Sequence, residues 1–212
     1  VSAHLLGLVS SLMSGERVLK GTSLFADRVG EAVAAPGVYL ADDPTNEAAW
    51  GAASFDDEGL ACRRNTMIHN GVLTGFLYDT TSARRAGTAS TASAVRAGFK
   101  SAPGVGARAV SLQPGKMSAE EVLAALGRGF LVQSVSGLHS GVNPISGDFS
   151  VGAEGLLFDG GELGPPVREV TIASSIQRML QGVVAIGADL EYLPSSAAGL
   201  TLAISEMSMS GA

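Results

Sequence analysis

The sequence predicts an α+β fold, with a few helices packed on largely antiparallel β-sheet that is barrel-like or layered. Three signals carry this expectation. Thr66–His69, Asn70-Gly71 and Val72–Thr74 read as a hairpin, because Asn-Gly supplies the two positive-φ residues of a type I′ turn. Leu156–Phe158 followed by Asp159-Gly160-Gly161 signals a second hairpin. Ser118-Ala119-Glu120-Glu121 is a capping box: the serine oxygen accepts the backbone N–H three residues on, and Glu121 reaches back.

The other elements follow in chain order. Ser2 is a helix N-cap, and Leu5, Leu6, Val9, Leu12 and Met13 recur at helical spacing until Gly15 stops the helix. Val33 to Asp43 reads as a helix end and then a strand, Val38-Tyr39-Leu40, closed by Asp42-Asp43-Pro44 because proline cannot continue a ladder. Thr81–Arg85 is helical, whereas Ala86–Gly106 is dominated by Gly, Ala, Ser and Thr and reads as a long mobile loop or a plain surface connection. Val110–Leu112 is a strand ended by Pro114-Gly115. Val122, Leu123 and Leu126 form the buried face of the capped helix, which Gly127 and Gly129 terminate before a strand over Phe130–Val135. Ser174-Ser175 opens a helix through Met179 and Leu180. Leu200, Leu202 and Ile204 alternate with small polar residues, the pattern of a half-buried final strand.

Composition narrows the functional classes. A chain of 212 residues is long enough for one sizeable core, so a single domain over 1–212 is expected. Hydrophobic content of 46% marks a folded protein, and a charged content of only 16% suits a broad buried interface or an Ala/Gly-rich core. A net charge of -6 without a basic stripe argues against a nucleic-acid partner. The lone Cys62 can form neither an internal disulfide nor a Cys-rich zinc site, which fits a reducing compartment. No apolar run approaches the ~20 residues of a membrane span, and Leu5–Met13 makes a poor signal peptide. A cytoplasmic location without a membrane partner is therefore expected. The chain starts with Val1 just before a helix, which suggests a fragment or processed half of a longer protein.

Familiar catalytic arrangements are missing. There is no G-x-S-x-G elbow, and in Gly137–Gly141 the adjacent His139 and Ser140 would point to opposite faces of a strand. Cys62 has no histidine near it in sequence, and an idle thiol fits better than a nucleophile. Lys100-Ser101 lacks the glycine spacing of a phosphate loop. Asp56, Asp57 and Glu58 read as turn and cap residues. Between Ser136 and Ser150, the residues His139, Asn143, Ser146 and Asp148 are candidates for peptide or cleft binding. A turn built on Asn-Pro and Gly-Asp explains the same residues.

Several stretches in a fixed order carry a resemblance: Lys20-Gly21-Thr22-Ser23, Ser54–Gly59, Asn70–Leu73 through Ser82–Arg85, Ile145–Ser150, Pro166–Ala173 and Ile186–Glu191. Together they resemble the C-terminal half of the TldD/PmbA family. Members of the TldD type carry an H-E-x-x-x-H zinc motif shortly before Lys-Gly-Thr-Ser. Two histidines on one helix, a third ligand and a carboxylate are what zinc hydrolysis needs. Here Leu6, Gly7 and Ser11 occupy the H, E and H positions, and the tail from Ser195 to Ser208 lacks the cysteine that the catalytic members supply. His4, His69 and His139 stand alone. The resemblance thus implies the PmbA/TldE type, with no catalytic residue and no metal on this chain and zinc only on a TldD-type partner.

That type implies a non-catalytic or modulatory subunit of a cytosolic metalloprotease acting on peptides or unfolded segments, paired with a TldD-like metal-bearing subunit or with a second copy of itself. The family's N-terminal domain is expected to be absent from this chain. Residues 89–107 depart from the more polar stretch of the family, with Arg96 as its remnant. A stand-alone peptide-binding or assembly protein with the same fold and no protease activity is the alternative.

Overall fold

The computed structural model describes residues 1–211 as two compact units, and an α+β architecture of open, layered antiparallel sheets with few helices. The first unit comprises Ala3–Gln113 with Glu191–Gly199. It contains α1 (Ser2–Leu12), α2 (Gly15–Leu19), β1 (Leu40–Asp42), β2 (Asn65–His69), β3 (Val72–Leu73), α3 (Thr80–Ala86), β4 (Ala94–Val95), β5 (Gly104–Val105) and β6 (Val110–Leu112). Its main sheet has the order β3-β2-β1-β6, antiparallel throughout. Leu6, Val9 and Leu12 of α1, Leu40, Met67, Ile68 and Leu73 of the sheet, and Phe25 and Leu77 are fully buried. The expected apolar spacing of α1 thus matches its buried side.

The Asn-Gly hairpin forms in register, Ile68 opposite Leu73 and His69 opposite Val72, with Asn70 at φ 49° and Gly71 at φ 81°. Gly71 is also pressed against the preceding loop: its carbonyl accepts the N–H groups of Val33 and Ala34. A Cβ there would lie 2.6 Å from the Ala34 carbonyl oxygen and 2.7 Å from that of Ala35. Gly15 differs from expectation. Rather than only stopping α1, it starts α2, and the ring of Tyr78 occupies the space where a side chain would stand.

The segment around 33–39 is a series of turns instead of a helix end, and the strand begins at Leu40. Residues 86–106 are not one long loop. They carry the β4–β5 ribbon, with Ala94 opposite Val105 and Val95 opposite Gly104. Thr91 tethers the approach to the ribbon, its N–H donating to the Tyr78 carbonyl and its hydroxyl accepting from the Tyr78 N–H. Small residues are what permit this, because Ala92, Ser93 and Ala94 are all buried.

The second unit holds Pro114–Leu190 and the tail from Leu200. It contains α4 (Ala119–Leu126), β7 (Arg128–Ser136), β8 (Asp148–Asp159), β9 (Glu162–Ser175), α5 (Ile176–Gln181), β10 (Val183–Ile186), β11 (Leu202–Ile204) and β12 (Ser208–Ser210). Its large sheet runs β12-β9-β8-β7, and β8 and β9 form a long hairpin turned by Gly160 (φ 58°) and Gly161 (φ 87°). Phe149, Val151, Ala153 and Phe158 put one face of β8 into the core. The capping box is present with both of its bonds, and Ser175 caps α5 by accepting from the Arg178 N–H.

Two burial expectations fail here. Of the predicted face of α4, Val122 is buried but Leu126 is exposed. In β11 it is Ala203 that is buried, while Leu202 and Ile204 are only half-buried, so the strand presents the opposite face to the one its large residues indicate.

Gly71→Ala should lower the unfolding free energy by about 2–4 kcal/mol, since left-handed strain adds to a backbone clash. Gly59 also has positive φ (82°) but open space around it, so Gly59→Ala should cost only about 1–2 kcal/mol. Urea unfolding of the two variants measures the difference.

Candidate functional site: a cleft on the first helix

The first unit bears a cleft of about 340 Å³ against one face of α1. Gly7, Ser10 and Ser11 of α1 line it at i, i+3, i+4 spacing, and Ser14, extended and bridged to Leu77 between α1 and α2, continues the wall. The Ser10 and Ser11 hydroxyls donate to the carbonyls of Gly7 (2.9 Å) and Leu8 (2.8 Å), so their oxygens retain acceptor capacity. Glu16 and Arg17 of α2 extend the lining. Glu16 is ion-paired with Lys20 at 2.6 Å. Arg17 is half-buried and forms no ion pair among the described residues.

The remaining lining comes from Leu77, Val105–Ala107 and Ser196. The Ser196 carbonyl accepts the Val110 N–H (2.8 Å), and Ala198 N–H donates to the Val110 carbonyl (2.8 Å), which docks this part of the tail along β6. Gly7 and Ser11 hold the second and sixth positions of the H-E-x-x-x-H window, and Ser196 belongs to the cysteine-free tail. Residues from both windows in which the resemblance expects metal ligands, Gly7 and Ser11 of one and Ser196 of the other, therefore line one cleft. Leu6, at the first position, is 1% exposed and points into the core.

No three His, Cys, Asp or Glu side chains come together among the described residues in an arrangement that could hold a metal ion. A zinc ion does not fit the donors of the cleft, whose lining has no imidazole or thiolate and whose one carboxylate, Glu16, is paired with Lys20. His4 is exposed on α1, and His69 is edge-on to Tyr39 with ring centroids 4.9 Å apart.

An acidic turn holds the wall at 105–107 in place. Asp56 Oδ1 accepts the N–H groups of Glu58 (3.0 Å) and Leu60 (2.9 Å), and its Oδ2 accepts that of Ala94 (3.2 Å). Asp57 accepts the Arg96 N–H (2.6 Å) and pairs with the Arg108 guanidinium at 2.7 Å. Glu58 accepts from both the N–H and the hydroxyl of Thr80, at 2.9 and 2.7 Å, at the start of α3. These are the turn and cap roles expected of the three acids. Behind the turn, buried Asp42 accepts the N–H groups of Arg108 (2.9 Å) and Ala109 (2.7 Å), leaving its Oδ2 and the Arg108 Nε without partners.

Burial pushes the Asp42 carboxyl above its ordinary value, against the pull of its backbone donors and of Arg108. The Arg96 N–H, and after it Arg108, hold the Asp57 carboxyl below the usual range despite partial burial. Half-buried Cys62 has its thiol pushed up by burial, with Arg108 opposing, which is the reverse of an activated nucleophile.

Three of the four residues proposed from sequence as peptide contacts come together in the second unit, in an exposed turn. Asn143 Oδ1 accepts from the Ile145 and Ser146 N–H groups (2.9 and 3.2 Å), and the Ser146 hydroxyl donates to Asp148 at 2.6 Å. Their polar capacity is largely used within the loop, as the turn reading has it. His139 lies in the exposed bend before them. Sequence reasoning missed Ser10, Ser14, Arg17 and Ser196. The run of small residues Gly7, Ser10 and Ser11 on α1, continued by Ser14 after it, was the available signal.

The sequence matches, over residues 1–211, the family described as PmbA/TldA metallopeptidase C-terminal domain. The chain belongs to this family. Metalloprotease PmbA of Escherichia coli O157:H7 is 29% identical over 211 residues, which is 100% of this chain and 44% of that relative. TldE from Thermococcus kodakarensis is 32% identical and superposes with a TM-score of 0.85 over 94% of this chain and 46% of its own. A Thermotoga maritima protein described as a candidate modulator of a DNA gyrase reaches a TM-score of 0.90 at 29% identity, over 98% of this chain and 47% of its own. The chain spans about half the length of the PmbA/TldD relatives it matches.

The two perturbed aspartates should leave opposite marks on stability against pH. Because the folded-state pKa of Asp42 is raised, the folded protein keeps a proton that the unfolded chain loses. Stability relative to Asp42→Asn should therefore fall as pH rises through the raised value, by up to about 1.4 kcal/mol per pH unit. Asp57 is depressed, so its contribution, about 1 kcal/mol, is present at neutral pH and lost as pH falls through the depressed value. Urea midpoints of Asp42→Asn and Asp57→Asn measured from pH 3 to 8 check both signs.

Proposed function

We propose that this chain is a PmbA/TldE-like non-catalytic or modulatory subunit in a cytosolic metalloprotease assembly, with cleavage of peptides or unfolded segments carried out on a TldD-like, metal-bearing partner. The observation that carries this reading is the cleft itself. It is lined by Gly7 and Ser11 from the helix window and Ser196 from the tail window in which the resemblance expects metal ligands. None of these can ligate zinc as an imidazole or thiolate does.

The names of the relatives support the broader half of the reading, since they include proteins called metalloproteases and a protein called TldE. Physically, a subunit without a metal completes a partner's cleft or buries an otherwise exposed surface. The 16% charged content suits such an interface.

Purified alone, the protein should carry substoichiometric zinc and hydrolyse no peptide. Mixed with a TldD-like chain bearing H-E-x-x-x-H from the same organism, it should co-elute and change the rate of peptide hydrolysis. Stoichiometric, tightly held zinc together with peptidase activity in the isolated chain would overturn the proposal. Peptide binding by the isolated protein, with no association with the metal-bearing chain, would favour the stand-alone binding protein.

A further inference from the structure

The geometry points to the α1 cleft as a binding site for a carboxylate group, held by Arg17 and offered by a peptide through its C-terminus or an acidic side chain. Arg17 is the reason. It lines the cleft half-buried and has no ion-pair partner among the described residues. The other ionised residue in the lining, Glu16, has an ion-pair partner in Lys20 at 2.6 Å, which leaves Arg17 as the lining's ionised side chain without one. A guanidinium with no ion pair of its own favours a bidentate carboxylate.

The hydroxyls fit the rest of a peptide end. Ser10 and Ser11 spend their protons on helix carbonyls and keep acceptor oxygens, which suit the amide N–H groups of a peptide chain. Leu77 and Val105 supply the apolar part of the lining. About 340 Å³ is at the small end of ligand sites and accommodates one or two residues rather than a folded partner. The site lies wholly on this chain, so it does not depend on the subunit reading above.

The test uses the whole protein and three blocked probes in calorimetric titration: an N-acetylated tri-alanine with a free C-terminal carboxylate, its C-terminal amide, and an amide carrying one aspartate. The free acid should bind at least about tenfold more tightly than the plain amide, with affinity falling as salt rises. The aspartyl amide separates the sources: binding like the acid means that any carboxylate serves, and binding like the plain amide means that the C-terminus is read.

Arg17→Met should weaken the acid about 10- to 100-fold and leave the amide unchanged. Arg17→Lys should recover only part of the loss, because an ammonium cannot make the bidentate contact. A second variant guards against misfolding. A Cβ at Gly7 would meet nothing within 4 Å, so Gly7→Leu should raise the melting temperature by replacing a mid-helix glycine while blocking the cleft and abolishing binding. Equal binding of acid and amide, or unchanged acid affinity in folded Arg17→Met or Gly7→Leu, would overturn the inference.

Discussion

The turn Asp56-Asp57-Glu58 is the constraint on which the first unit depends. Its three side chains reach three separate parts of the chain: the start of β4, the Arg96 and Arg108 flanks of the ribbon, and the N-terminus of α3. The ribbon has little regular pairing of its own, since β4 and β5 share only two residue pairs. Carboxylates accepting backbone N–H groups are strong and directional, so three consecutive acids can fix an irregular region that propensity alone leaves loose. Val105–Ala107, just before Arg108, inherit their position from this turn and form part of the cleft wall.

That dependence explains which parts of the fold were legible in the sequence. Elements with a local physical cause were readable: the Asn70-Gly71 and Gly160-Gly161 turns, the capping box at Ser118, and the Ser175 cap each need only a few adjacent residues. The ribbon in 86–106 was not readable, because its order comes from Asp56, Asp57 and Tyr78, all distant in sequence. The face of β11 was misread for a related reason. Leu202 and Ile204 are larger than Ala203, yet Ala203 is the residue the unit buries. Side-chain size predicts burial only when the whole strand packs on one layer, and β11 pairs with β10 alone in a two-stranded ribbon.

The site was half legible. The resemblance located the helix window and the cysteine-free tail as two halves of one site. The structure adds the cleft that Gly7, Ser11 and Ser196 line, with 196–198 docked along β6. Arg17 escaped notice because a single arginine two residues into a short helix is unremarkable until its surroundings are known. Its significance rests on burial without a counter-charge, and neither property can be read from spacing.

The division of labour on α1 separates the side chains that hold the helix from those that line the cleft. Leu5, Leu6, Val9 and Leu12 are buried and carry the hydrophobic stabilisation of the helix. Gly7 and Ser11 face the cleft, where an added Cβ on Gly7 meets nothing within 4 Å. Ligand positions on that side make little contribution to packing, so their chemistry can differ from that of a metal-binding relative at almost no cost to the core. Of the positions in the window, Leu6 is the exception. A histidine there would be buried among apolar side chains, with an imidazole needing partners that this core does not offer. Placing a histidine at Leu6 would therefore require repacking α1, whereas binding a carboxylate at Arg17 asks nothing of the core at all.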